Sequence, residues 1–144
     1  MKNVTKWVIV TRIYLGFSIL SLLSVSVMAL FDPQSVMDLV GVSLNNTDAL
    51  SSIRGVYGGV GLTICLSILY LLIKHPEKGA GFLSIFWGAY AFSRLITLIS
   101  DGPLGDFGNQ WLMIESIMAL IGLGLWIQLN SSRRKQKFVL QHKF

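Results

Sequence analysis

Four side chains that could do chemistry stand inside long apolar stretches of this sequence: Arg54, Tyr57, Arg94 and Glu115. A charged side chain in such a stretch is costly unless it finds a partner, so its presence indicates a structural or functional role. Glu115 could accept a bidentate contact from Arg94 or from Arg54, which would leave one arginine over. Counted along the helices, Arg54, Arg94 and Glu115 fall about one or two turns below the same boundary, so we expect them to share a layer.

Three interpretations of this layer stay open. The charges could form an ion-paired pin that fixes the register of the helices. Alternatively, the surplus positive charge could line an outward-facing polar pocket for a small anionic ligand, a phosphate headgroup or a polar-headed lipid such as a quinone. A small transporter would need an acid accessible from both sides, and Glu115 is the only candidate because no comparable acid lies in the inner half. The predicted ligand-binding residues are Arg54, Tyr57, Arg94, Glu115 and Asp101.

The sequence lacks the signatures of an enzyme, a metal site or a nucleic-acid interface. The apolar stretches contain no serine–histidine pairing and no paired carboxylates, so we expect no catalytic residues and no cofactor. His75 and His142 are far apart, which argues against a zinc site, and the lone Cys65 cannot form an internal disulfide. The net charge of +5 could suggest nucleic acid, but the basic residues sit at the ends of apolar runs, as is typical of membrane proteins.

The elements that must position these side chains are membrane-spanning helices. Hydrophobic residues make up 53% of the 144 residues and charged residues only 13%, against about 25% in soluble domains. A spanning helix needs about 20 mostly apolar residues. Four runs qualify, and the sequence predicts an all-α integral membrane four-helix bundle over residues 1–144, with helices at about 7–31, 49–73, 79–100 and 111–130. The first run is longer than the apolar core of a signal peptide, so we expect a retained helix.

The loop charges predict the orientation of the helices. Lysines precede the first span and separate the second from the third, and lysine and arginine follow the fourth in a basic tail at 131–144. The other two connections contain no lysine or arginine and hold every aspartate of the chain: Asp32, Asp38, Asp48, Asp101 and Asp106. Because basic loops stay in the cytoplasm, both termini should be cytoplasmic, with the tail adsorbed to anionic lipid.

The first outer connection predicts a short surface helix. Asp32 can cap a helix whose first residue is Pro33, with Gly41 as its stop and one apolar face made of Val36, Leu39 and Val40. Asp48 is then expected to cap the second span.

A cluster of glycines in the second span predicts close helix packing at Gly55, Gly58, Gly59 and Gly61. Gly55 and Gly59 have the GxxxG spacing at which helix backbones approach closely in lipid. Packing within the chain is the simplest interpretation, and homodimerisation is the alternative. The same face leads to another hypothesis for function, an accessory subunit that packs against a larger membrane complex.

The motif Arg54-Gly55-Val56-Tyr57-Gly58-Gly59 resembles one in the domain of unknown function 4345 family of uncharacterised bacterial membrane proteins. The resemblance extends over residues 7–130 and includes Arg94, Asp101-Gly102, Glu115, and Phe31-Asp32-Pro33 leading to Gly41. Many members carry an acidic residue near position 52, where this chain has Ser52, so Arg54 lacks that possible partner. The resemblance implies a four-helix domain of the bacterial inner membrane with no established activity.

Overall fold

A computed structural model describes residues 2–141, with side chains described for residues 4–132 and for Arg134. Residues 142–144 of the predicted basic tail lie outside this range. The described chain is helical and contains no strand. Its elements are α1 (Lys2–Phe31), α2 (Pro33–Asp38), α3 (Thr47–Ile53), a π-helical segment (Arg54–Val60), α4 (Gly61–Lys74), α5 (Pro76–Ser100) and α6 (Asp106–Gln141).

Four stretches are long and apolar enough to cross a membrane, which confirms the predicted all-α class and the number of apolar helices. They are Val4–Phe31, Thr47–Lys74, Pro76–Ser100 and Asp106–Ser132, with a mean hydropathy between 1.5 and 2.1. Many large apolar side chains of these helices are exposed, as a lipid-facing surface requires. The structure is thus compatible with a multi-pass membrane protein.

The helices extend beyond the predicted apolar runs because hydropathy marks the lipid boundary rather than the helix end. α5 begins at Pro76, since proline at the first helical position has no amide that needs an acceptor. α6 begins at Asp106, whose charge suits a helix N-terminus. It also continues through the Ser131-to-Lys135 stretch to Gln141, because lysine and arginine are good helix formers.

The first connection contains the predicted short helix, with corrections at its ends. The Asp32 side chain accepts a hydrogen bond from the Ser35 amide, so Asp32 caps α2 as predicted. α2 already ends at Asp38, and the predicted apolar face is wrong: Val36 is buried, whereas Leu39 and Val40 are about half exposed because they lie beyond the helix.

The cap predicted for the second span is also wrong. Asn46 caps α3 by accepting a hydrogen bond from the Ala49 amide at 2.7 Å, and Asp48 lies within the first turn. Asn46 and Asp48 could each cap this helix, because asparagine caps a helix as well as aspartate does. The helix begins earlier than predicted, so Asn46 is its cap.

The chain divides into two compact units. The α5–α6 unit comprises Met1–Leu15 and Leu71–Phe144, so it includes the N-terminal half of α1. The α2–α4 unit comprises Gly16–Tyr70 and includes the C-terminal half of α1.

Gly122 lies at the tightest packing in the α5–α6 unit. A Cβ atom there would stand 2.7 Å from the Tyr14 hydroxyl and 3.1 Å from both the Ala80 carbonyl and the Ser84 amide. Tyr14 also donates a hydrogen bond to the Met118 carbonyl at 2.9 Å. α1, α5 and α6 therefore approach each other closely at Gly122, where a side chain larger than a hydrogen atom would collide with its neighbours.

Two of the four glycines predicted for helix packing bring the second span against α1 in the α2–α4 unit. A Cβ at Gly58 would stand 2.6 Å from Leu30 Cδ2, and one at Gly61 would overlap the Ser26 hydroxyl. The packed glycines are thus three residues apart rather than at the GxxxG spacing.

The GxxxG pair itself is placed differently. A Cβ atom added at Gly55 or Gly59 would have no heavy atom of the described chain within 4 Å, apart from the neighbouring residues of its own helix. This side of the π-helical segment is open.

Candidate functional site

Arg94 and Glu115 form a bidentate ion pair between α5 and α6. Arg94 Nε donates to Glu115 Oε2 at 2.8 Å, and an Nη atom donates to Oε1 at 3.0 Å. The Glu115 side chain is 2% exposed and that of Arg94 is 22% exposed. The fork of a guanidinium matches both oxygens of a carboxylate, which gives the pair a defined geometry as well as charge neutrality. Of the two arginines that the sequence allowed as partners, Arg94 is the one that pairs.

An aromatic ring adds to the environment of Arg94. Its guanidinium carbon lies 5.9 Å from the centre of the Phe107 ring, which belongs to the first turns of α6. A cation over an aromatic face gains a further modest attraction. The positive charge of Arg94 is therefore met by one carboxylate and one ring, so it provides little attraction for an additional anion.

The α5 residues spaced three, four and seven positions from Arg94, which share its side of the helix, are only partly buried. Trp87, two turns before Arg94, is buried and packs edge-on against Phe86 with ring centres 5.2 Å apart. Thr97 is exposed. Asp101 is exposed at the C-cap of α5, where its amide donates to the Thr97 carbonyl. The structure does not place Asp101 in the ion pair.

Arg54 caps the C-terminal end of α1 in the α2–α4 unit. Its Nε donates to the Leu30 carbonyl at 3.1 Å, and the side chain is exposed. The last carbonyls of a helix accept no hydrogen bond from an N–H group of the same helix. A cation at this end is also favoured by the helix dipole. α1 has no basic residue in its own last turn, so Arg54 supplies that charge from another helix.

The motif around Arg54 is π-helical, which the sequence analysis did not foresee. The segment Arg54–Val60 holds Tyr57 against a small core containing Ala29, Val36 and Met37. π-helical turns are rare and occur frequently at functional sites. The density of glycine in this stretch was the available signal, because glycine disfavours a regular α-helix. Arg54, Tyr57 and Gly58 together dock the start of the second span onto the end of α1.

Asp32 lies beside this cap and is held as a carboxylate. The Ser35 hydroxyl and the Ser35 amide donate to its oxygens and lower its pKa from the ordinary value of 3.8. The charge of Arg54 lowers the pKa in the same direction. The two side chains form no direct ion pair among the described residues, so each is a separate charge at the exposed junction of α1 and α2.

Glu77 is an acid that the sequence analysis missed. It is 7% exposed in the first turn of α5, and one of its oxygens lies 3.9 Å from His75 Nδ1. Glu77 is therefore a second nearly buried acid beside Glu115, at the end of α5 opposite to Arg94. Pro76 marks a helix start, and acids stabilise the first turn of a helix, so the position of Glu77 after Pro76 was the available signal in the sequence. Among the described residues, no group of three histidine, cysteine or acidic side chains could hold a metal ion.

Comparison with known proteins gives one match. The sequence model of a family described as "Domain of unknown function (DUF4345)" matches residues 10–128. No curated protein and no solved structure matches the chain significantly. The matched range includes Arg54, Arg94 and Glu115.

Proposed function

The chain belongs to the family described as a domain of unknown function (DUF4345), and from that premise we propose that it is a non-enzymatic multi-pass protein of the bacterial inner membrane that binds the phosphate group of a lipid through Arg54. The binding surface is the exposed junction of α1, α2 and the π-helical segment, on the outward side of the membrane.

The distribution of charge supports this placement. Lysine and arginine flank the apolar helices on alternate connections, and the aspartates occupy the other two. With basic loops retained in the cytoplasm, both termini are cytoplasmic and Arg54 lies near the outer surface. Reporter fusions within residues 42–48 and within residues 74–78 test the orientation: the first should report the outer side and the second the cytoplasm. The opposite pattern would contradict the proposal.

The observation that carries the proposed function is the unused part of the Arg54 guanidinium. Nε is occupied by the Leu30 carbonyl, which fixes the side chain at the end of α1. The two terminal amino groups make no hydrogen bond among the described residues, and the side chain is exposed. A guanidinium held in this way can present both amino groups to phosphate oxygens.

Arg94 is the matched case that lacks this property. Glu115 occupies its Nε and one amino group, and the pair leaves no net charge. Of the residues predicted for a ligand pocket, we therefore assign binding to Arg54, packing to Tyr57, and a structural pin to Arg94 and Glu115.

Lipid retention tests the proposal. The full chain in detergent micelles is titrated with phosphatidylglycerol, and bound lipid is counted by native mass spectrometry. Arg54→Gln should lower the affinity about fivefold, the factor that corresponds to roughly 1 kcal/mol per basic residue at a lipid surface. Arg54→Lys retains the charge and should retain part of the binding.

Arg12→Gln is the matched control, since Arg12 is also an exposed arginine in an apolar helix but lies near the opposite, inner boundary. Thermal unfolding of each variant shows whether it is folded. Equal lipid retention by wild type, Arg54→Gln and Arg12→Gln would overturn the proposal.

The open pair of glycines favours an accessory subunit as a second candidate function. Gly55 and Gly59 present a GxxxG face that no described part of the chain covers. A partner helix could approach this face closely. Crosslinking in native membranes should capture a larger complex, and Gly55→Leu with Gly59→Leu should abolish it. The control is Gly124→Leu, at another open glycine. Recovery of the wild-type chain only as a monomer would contradict this candidate.

A further inference from the structure

We infer that the Arg54 site selects a zwitterionic phospholipid, with the phosphate on Arg54 and the headgroup amine on Asp32. This inference rests on the proposed function and names the ligand class, a phosphate–amine headgroup of the phosphatidylethanolamine type. Three observations carry it: the charge balance of the α2–α4 unit, the placement of Arg54 on the Leu30 carbonyl next to an Asp32 that it does not pair with, and the apolar surface beside them.

The charge balance disfavours a purely anionic ligand. Gly16–Tyr70 contains one arginine, Arg54, and three aspartates, Asp32, Asp38 and Asp48, so its formal charge is 1 − 3 = −2. An anion attracted by Arg54 also meets the repulsion of these carboxylates. A ligand that carries a positive group next to its phosphate replaces part of that repulsion with attraction.

Asp32 is placed and prepared to accept the amine. Its carboxylate is exposed and ionised, and it accepts hydrogen bonds from Ser35 on both oxygens. A carboxylate has about four lone-pair sites, so acceptor capacity remains for an ammonium group. Arg54 Nε binds the carbonyl of Leu30, two residues before Asp32, yet Arg54 and Asp32 form no direct ion pair among the described residues. Neither charge is consumed by the other, and a headgroup with both signs can engage both.

The surface beside the two charges suits acyl chains rather than water-soluble phosphate. Phe31, the residue after Leu30 and before Asp32, is 83% exposed at the end of α1. Val56, two residues after Arg54, is 60% exposed. Apolar side chains beside one positive and one negative charge match the acyl chains and the zwitterionic headgroup of a lipid at the membrane interface. The ligand source is therefore the membrane and not free phosphate.

Headgroup preference tests the inference. The full chain in detergent micelles is titrated separately with phosphatidylethanolamine, phosphatidylcholine and phosphatidylglycerol, and retention is compared by native mass spectrometry. Phosphatidylcholine carries a methylated amine that cannot donate a hydrogen bond, and phosphatidylglycerol carries no amine. Wild type should retain phosphatidylethanolamine best, and Asp32→Asn should reduce that preference about two- to fivefold, as expected for an exposed charge pair.

Asp32→Asn is suited to this test because asparagine also caps a helix well, so α2 is preserved while the charge is removed. Asp48→Asn is the matched control: it removes an exposed aspartate of the same unit and should leave the preference unchanged. Inorganic phosphate is added as a competitor in a separate arm, and it should not displace the lipid.

The outcomes separate this inference from the proposed function. Suppose that all three lipids are retained equally and that Arg54→Gln still lowers the retention of each. This result overturns the preference for a zwitterionic headgroup and leaves the proposed function standing. Loss of the preference in Asp48→Asn as well as Asp32→Asn also overturns it, because the effect is then general acidity. Displacement by inorganic phosphate overturns the lipid assignment. No Arg54-dependent retention of any phospholipid overturns both.

Discussion

The two units of this protein use an arginine in an apolar helix in opposite ways. In the α5–α6 unit, Arg94 is partly buried and its charge is neutralised by Glu115. In the α2–α4 unit, Arg54 is exposed, and a backbone carbonyl occupies only one of its donors. Both side chains link two helices, but only the second link leaves a charge unmatched by an ion pair. An arginine in an apolar helix is thus part of a structural ion pair in one unit (Arg94) and of a candidate binding site in the other (Arg54).

The difference follows from the partner. A carboxylate cancels a guanidinium, whereas a carbonyl at a helix end offers a partial charge of about half a unit. Burial then enforces the distinction, because a nearly buried charge needs a full counter-charge and an exposed one can use water or a lipid headgroup. The distinction predicts that variants of the pin alter stability strongly and variants of the cap alter it weakly.

The largest effect is expected from breaking the pin. Arg94→Leu should destabilise the fold by about 3–5 kcal/mol, because it leaves Glu115 buried without a partner. Glu115→Leu should cost less, since the remaining arginine is 22% exposed and can reach the boundary. The double substitution should recover much of the loss, because two leucines of suitable size need no pairing. Unfolding in mixed micelles, followed by circular dichroism, measures these differences.

Arg12→Leu is the control for removing an arginine from an apolar helix, and it should have little effect because Arg12 is exposed. Strictly additive losses in the double variant would show that Arg94 and Glu115 are not coupled, and the pin would then be excluded.

The next largest effect is expected from a substitution at Gly122, where three helices of the α5–α6 unit meet. Gly122→Ala should destabilise the α5–α6 unit by about 1–3 kcal/mol, since the added methyl would meet backbone atoms of Ala80 and Ser84 that cannot rotate away. Gly124→Ala, two residues later with no neighbour within 4 Å, should be neutral or slightly stabilising. Thermal unfolding of the two variants compares them directly. Equal stability would show that α1, α5 and α6 do not meet at Gly122.

The sequence predicted the elements of the fold because apolar length and local capping are one-dimensional properties. A run of about 20 apolar residues specifies a spanning helix whatever its neighbours are. Asp32 followed by Pro33 specifies a helix start for local reasons as well, and both predictions are confirmed. The spans begin and end a few residues away from the predicted bounds, since helix formation continues outside the apolar region.

The partners within the candidate site could not be predicted in the same way. The sequence placed Arg54 and Arg94 at similar depths, so it left both open as partners for Glu115. The choice depends on which way each helix faces, and the π-helical segment changes that facing. A π-helical turn takes up an additional residue, so residues on either side no longer follow a 3.6-residue period.

A smaller effect is expected from the cap. Arg54→Gln should destabilise the fold by only about 0.3–1 kcal/mol, the range for a cation at an exposed helix C-terminus. Arg54→Lys should lose less, because an ammonium also interacts with the end of the dipole. Unfolding in the same micelles as for Arg94→Leu provides the comparison between the two arginines. A loss as large as that of Arg94→Leu would show that Arg54 is also a structural pin, and the distinction between the units would fail.

The smallest effect concerns pH and the Asp32 cap of α2. Because the Ser35 hydroxyl and amide lower the pKa of Asp32 below its ordinary value of 3.8, ionised Asp32 stabilises the native state above that value. This contribution is retained as the pH falls to about 3.8 and is lost as the pH falls further, through the native pKa. Hydrogen exchange of the α2 amides across this acidic range should show the loss in wild type. Asp32→Asn should remove it, because asparagine caps without titrating, whereas Asp48→Asn should retain it. Loss of α2 protection well above pH 3.8 in wild type would show that the native pKa of Asp32 is raised, which would contradict the stabilisation of its carboxylate by Ser35.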